Sequence, residues 1–218
     1  MERKMSISLY VMSFVIAILM FILGVYIGNM IDDSNLDSLS GELSSMSGRL
    51  ASLQLLLLTE SNSSSFCPVY SSELNPLDDD IEKIGYKLSY LEDERQLYDP
   101  ELKKQYFILE AESYLLSKKV NSLCNDSDNL LIHFYSNKNC GQICKDQGTA
   151  VLQARDQLAG ESVTVKLFSF DGELDSPIAE ALENEYHVTT YPTLVINGKT
   201  YSGFQSIDQI KNILRASE

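Results

Sequence analysis

The spacing of apolar positions changes several times along this 218-residue chain, and each change marks a new element. The first stretch has no period. Met5 to Ile31 carries no charged residue, and Leu9 to Ile27 is apolar almost throughout. A bilayer core takes about 20 apolar residues in a helix, so this run predicts a transmembrane helix within segment 1–31. It lacks the short apolar core and small-residue exit of a cleaved leader. Beyond it, Leu36, Leu39, Leu43, Met46, Leu50, Leu53 and Leu57 recur at alternating spacings of three and four. That seam predicts a coiled-coil helix over 32–60. Gly41 and Gly48 each weaken such a helix by about 1 kcal/mol, so the seam needs a partner. The partner is either a second copy, giving a homodimer, or the helices that follow.

Segment 61–75, opening on Ser61-Asn62-Ser63-Ser64-Ser65, predicts a linker. Acidic Asp78-Asp79-Asp80 then precedes Ile81, Ile84, Leu88 and Leu91, the pattern of a helix start. Asp99-Pro100 ends that helix, because proline disfavours helix at the residue before it. A second stripe, Leu102, Tyr106, Leu109, Leu116, Val120 and Leu123, has Ser113 as a polar gap. Segment 76–124 therefore predicts an antiparallel helical hairpin. Cys67 precedes the first helix and Cys124 follows the second. The hairpin brings those ends together, which predicts a structural Cys67–Cys124 disulfide. The alternative is that one of them exchanges with a downstream cysteine.

Segment 125–218 alternates strand and helix patterns. The reading is strand 130–135, helix 141–158, strand 163–169, helix 177–186, strand 193–197, strand 200–203 and helix 206–215. Ser176-Pro177 is a cap followed by a first-turn proline. Asn197-Gly198 is a hairpin turn. The order is βαβαββα. At its first strand-to-helix junction stands Cys140-Gly141-Gln142-Ile143-Cys144. A helix N-terminus carries about half a positive charge, which favours a thiolate, so Cys140 is the expected nucleophile. Cys144, one turn on, can resolve a mixed disulfide.

With Val188-Thr189-Thr190-Tyr191-Pro192-Thr193-Leu194-Val195-Ile196-Asn197-Gly198 about fifty residues later, the layout resembles the thioredoxin superfamily. The resemblance covers roughly residues 128–218. It implies an α/β thioredoxin-like C-terminal domain, here preceded by the transmembrane helix, the coiled-coil helix and the hairpin. It also implies that Pro192 is a cis-proline facing the cysteines. Tyr191, Thr190 and Gly141 then help to form the substrate-binding surface. Most members of that superfamily have two residues between the cysteines, and this chain has three. In a regular helix such a pair is about 5–6 Å apart at Cβ, farther than a relaxed disulfide wants, so closure calls for a distorted first turn that Gly141 permits. By register His133 lies where many thioredoxins carry a buried acid, and a histidine there can move a proton to Cys144. The plain alternative is a strand histidine satisfied by a neighbour. Lys138 and Lys145 flank the pair and favour the thiolate. His187 reads as a half-exposed helix end.

Charge and cysteine count refine this picture. The net charge of −14 argues against nucleic acid as a partner, since phosphate contacts need clustered Lys and Arg. Arg3 and Lys4 precede the apolar run and Asp32 and Asp33 follow it. That asymmetry predicts a single-pass membrane protein, N-terminus cytoplasmic and C-terminal domain extracytoplasmic. Four cysteines permit two disulfides there. Asn62-Ser63-Ser64 and Asn125-Asp126-Ser127 match the N-glycosylation pattern, which is common by chance.

The leading functional expectation is a membrane-tethered thiol–disulfide oxidoreductase acting on protein thiols and disulfides. Cys140, Cys144, Pro192 and His133 are its catalytic residues, and it needs no cofactor or metal. Two alternatives stand beside it. One is a non-catalytic scaffold whose coiled coil recruits partners. The other is a Cu(I) metallochaperone using the same two cysteines. The chain is similar in anchor, fold and cysteine spacing to the copper-delivery proteins of cytochrome oxidase assembly. Those use a downstream histidine and lack the proline at that point.

Overall fold

The structure, a computed structural model, describes residues 7–59, 63–124, 128–161 and 163–216. The chain divides into two compact units, Met1–Glu42 and Leu43–Glu218. A single helix, α1 (Ile7–Thr59), contributes to both. Its described side chains from 10 to 26 are exposed. Among the described residues no helix is long and apolar enough to cross a membrane. This corrects the expected transmembrane helix within 1–31, and with it the single-pass, extracytoplasmic localisation. The charge asymmetry around that segment consequently carries no topology.

In the second unit α1 continues with Leu43, Leu50 and Leu53 buried. α2 (Ser63–Asp93) touches this part of α1 within the same chain. Tyr70 donates its hydroxyl to the Leu53 carbonyl. Arg49 reaches Glu73 at 3.7 Å and Asp80 at 3.8 Å. The expected linker 61–75 is corrected from Ser63 onward, because α2 runs through both Pro68 and Pro76. A helix-interior proline costs about 3 kcal/mol. The apolar period nevertheless continues across Pro76, through Tyr70, Leu74 and Leu77, all buried. Burying such side chains contributes about 1.5–3 kcal/mol each, enough to hold the segment helical. The acceptor Asn62 and the triplet 125–127 lie outside the described residues.

α3 (Pro100–Cys124) returns antiparallel to α2. Asp99 caps it, accepting from the N–H groups of Glu101 and Leu102 at 3.0 Å. Cys67 and Cys124 are bonded, with Cα atoms 5.6 Å apart. Ser113, the polar gap in the stripe, donates to Asp78 of α2. Leu123, on the stripe by spacing, is exposed.

Four strands follow, β1 (Asn129–Tyr135), β2 (Val165–Asp171), β3 (Thr193–Ile196) and β4 (Lys199–Ser202). Their order is β2-β1-β3-β4. β1 and β2 are parallel across α4 (Gln142–Ala159), and β3–β4 is an antiparallel hairpin. α5 (Pro177–Tyr186) and α6 (Ile207–Arg215) complete the order βαβαββα. One sheet face packs on α4 and α6 through Leu131, Val151, Ala154, Leu194, Ile210 and Leu214. The other packs on α3 and α5. There Phe107 meets Phe170 edge-on at 5.3 Å, and Tyr114 meets Phe168 at 5.4 Å. The hairpin therefore supplies half of the second helical layer.

Two polar contacts fix that docking. β2 is an edge strand, and the Ser169 N–H is taken by the Glu110 carboxylate at 2.7 Å. Lys103, 6 % exposed, bridges Glu92 of α2 at 2.9 Å and Asp171 of β2 at 3.4 Å. It also sits over the Tyr98 and Tyr135 rings.

Candidate redox site

β1 ends at Tyr135 and the chain turns before α4. Ser136, buried, organises the turn. Its Oγ accepts from the N–H of Asn139 at 2.8 Å and of Lys138 at 3.2 Å, and its hydroxyl donates to Glu173. Asn139 also donates to Glu173. The Ser136 hydroxyl, then Asn139 and the Lys138 N–H, hold the Glu173 carboxyl below its ordinary range. The loop that delivers Cys140 is thus pinned to the end of β2.

Cys140 and Cys144 are bonded, with Cα atoms 5.5 Å apart. The route to that bond differs from the distorted helical turn expected. α4 begins only at Gln142, and Gly141 sits before it with φ 54° and ψ −133°. Cys140 therefore lies outside the helix, and the positive φ at Gly141 turns the chain back towards Cys144. An L side chain rarely adopts that φ, which explains glycine here. Cys140 is half-buried, whereas Cys144 is 4 % exposed. No side chain caps the first turn of α4, so its free N–H groups remain available to a Cys140 thiolate. Lys138 is exposed, and Lys145 is paired with Asp93 of α2 at 3.0 Å.

The Tyr191–Pro192 bond is cis. Pro192 is buried, and its carbonyl accepts from the Gly203 N–H at 2.9 Å. β3 starts at Thr193 opposite Phe134, antiparallel to β1. Pro192 and the Cys140 loop consequently leave the sheet at the same end. Thr190 is exposed and offers its carbonyl to the Thr193 hydroxyl at 2.7 Å. The Tyr191 hydroxyl is committed to Glu183 at 2.6 Å. Burial and that carboxylate raise the phenol above its ordinary range. His187 is the exposed, left-handed C-cap of α5.

His133 lies in β1 beneath α4. Its Cε1 stands 3.6 Å from where a Cβ on Gly148 would sit, so the ring packs one turn beyond Cys144. Burial lowers its pKa to about 4, and its Nε2 has no hydrogen-bond partner among the described residues. The ring is neutral at physiological pH.

The sequence reading did not single out Glu110. It is 3 % exposed, and burial pushes its carboxyl up to about 8 against the opposing hydrogen bonds from Tyr106 and the Ser169 N–H. Gly85 of α2 makes room for the Tyr106 hydroxyl, which a Cβ there would meet at 2.3 Å. Glu110, Tyr106, His133 and Cys144 line one cavity of about 290 Å³ between α2, α3 and α4. The spacing held the signal, since Glu110 is four residues from Tyr106 and three from Ser113, on the buried face.

The sheet order, the cis-proline and the cysteine pair at the β1–α4 junction define a thioredoxin-like fold for the C-terminal part of the chain. Among solved structures, chloroplastic thioredoxin z is similar at 21 % identity, covering 46 % of this chain and 88 % of its own, with a TM-score of 0.35. The first thioredoxin domain of mouse protein disulfide-isomerase A4 is similar at 21 % identity, covering 46 % of this chain and 71 % of its own, with a TM-score of 0.34. No family model and no curated protein matches the chain. The fold assignment rests on topology rather than on these similarities.

Proposed function

We propose that the chain is a thiol–disulfide oxidoreductase working through Cys140 and Cys144 on protein thiols and disulfides. The observation that carries this reading is the unequal environment of one bonded pair. Cys140 is half-buried before an uncapped helix start, and Cys144 is buried within the first turn. In the oxidising direction, a substrate thiolate attacks Cys140 of the disulfide and Cys144 leaves as a thiolate. A second substrate thiolate then releases Cys140, so that the substrate gains a disulfide and the pair holds two electrons. In the reducing direction the Cys140 thiolate attacks a substrate disulfide, and Cys144 attacks Cys140 to free it.

Pro192 supports this reading because it leaves the sheet at the end where the Cys140 loop begins. Thr190, Tyr191 and Gly141 would frame the substrate there. His133, without a partner at Nε2 among the described residues, is suited to accept the Cys144 proton only transiently, because burial opposes its charge. The reading is tested by alkylating the reduced protein with limiting iodoacetamide across pH. Cys140 is expected to react first, with a midpoint well below the ordinary thiol value of about 8.5. Equal rates and equal midpoints for the two thiols would refute the assignment of roles.

A further inference from the structure

Attack at Cys140 makes no use of the cavity behind the pair. Its inner wall holds Cys144, His133, Glu110 and Tyr106, and Ser89 and Asn137 are exposed at its rim. Two ion pairs bridge α4 to α2 beside it, Arg155–Glu82 at 2.7 Å and Lys145–Asp93 at 3.0 Å. Cys144, almost closed to the outer surface, is a lining residue of this space. We propose that the cavity admits a small, uncharged disulfide that reoxidises the pair through Cys144. This route rests on the redox reading above and supplies its co-substrate.

Two observations define the ligand class. About 290 Å³ lies at the lower end of small-molecule sites, enough for a few-carbon disulfide and too little for a peptide. Of the titratable lining groups, Glu110 and His133 are both driven to their uncharged forms by burial, and Glu82, Glu92, Asp93 and Lys145 are already held in ion pairs, so a charged ligand would meet the burial penalty without a free partner charge among them. The step balances. The Cys144 thiolate attacks one sulfur of R–S–S–R, forming Cys144–S–S–R and expelling RS⁻. The Cys140 thiolate then attacks Cys144, closing the pair and expelling a second RS⁻. The two protons of the dithiol end on two molecules of RSH, and the pair is oxidised by two electrons.

The test uses the full chain carrying Cys140→Ser, which leaves Cys144 as the reacting thiol. Mass spectrometry follows its mixed disulfide with bis(2-hydroxyethyl) disulfide and with glutathione disulfide. Each rate is divided by that of the same variant unfolded in urea. The neutral small reagent is expected to be favoured at least tenfold. Adding Ser89→Trp at the rim or Gly148→Val on the inner wall is expected to cut its rate at least fivefold. The two sites are independent, so whichever variant keeps the parent circular dichroism spectrum decides the matter. Equal normalised rates, no reaction with either reagent, or a folded filling variant that reacts like its parent would each overturn the proposal. Selectivity that persists when no client protein is trapped by Cys144→Ser would remove the protein-substrate reading and leave the cavity route standing.

Discussion

Glu110→Gln tests the physical account of how the hairpin is docked to the sheet. The carboxyl moves from an ordinary value of 4.5 to about 8 because burial outweighs its two hydrogen bonds. A raised acid makes the folded state hold the proton more tightly than the unfolded state, so stability falls as pH rises between those values. Each pH unit in that window costs about 1.4 kcal/mol, which sums to about 5 kcal/mol. His133 acts in the opposite sense. Its pKa is lowered from 6.5 to about 4, so stability rises with pH across that interval. The two slopes offset between pH 4.5 and 6.5. Above pH 6.5 Glu110 acts without that opposition, and the loss from pH 6.5 to 8 is about 2 kcal/mol. Urea unfolding at pH 5, 6.5 and 8, without reductant, measures this directly. The parent chain is expected to be nearly level between the first two points and then to fall. Glu110→Gln keeps an amide oxygen as acceptor and cannot ionise, so its fall above pH 6.5 disappears. Parallel curves for parent and variant between pH 6.5 and 8 would refute the reasoning.

Two further predictions concern the helical hairpin. Lys103→Met removes the cation between Glu92 and Asp171 and leaves Asp171 buried without it; a loss of about 3–5 kcal/mol is expected in denaturant unfolding. Replacing Cys67 and Cys124 together by serine opens a loop with a sequence separation of 57, for which chain entropy gives about 4 kcal/mol, read as a lower urea midpoint under non-reducing conditions.

Much of the C-terminal part could be read from local patterns because its elements obey local rules. Asn197 takes φ 49° and Gly198 φ 80°, as the Asn-Gly turn requires. Ser176 stands before Pro177 at the start of α5, and the continuous apolar run of β1 is buried on both faces. The failures were of a different kind. Segment 61–75 contains serines and Pro68, which locally argue against helix, but its apolar period is satisfied by packing within the helical hairpin and on α1. The uncharged run within 1–31 was long enough by residue count, but among the described residues no helix is long and apolar enough to cross a membrane. In the candidate site, the cysteines and Pro192 announced themselves by motif. Glu110 did not, since its meaning depends on α3 lying against the edge of β2, a tertiary fact. The positive φ of Gly141 likewise replaced the distorted helical turn that spacing alone implied.

The central claim is that Cys140 attacks and Cys144 resolves. It is tested most directly by expressing Cys144→Ser and Cys140→Ser separately and separating the captured species on non-reducing gels. The account predicts thiol-reversible mixed disulfides with client proteins in Cys144→Ser, joined through Cys140, and their absence in Cys140→Ser. Equal trapping by both variants, or trapping only through Cys144, would contradict it.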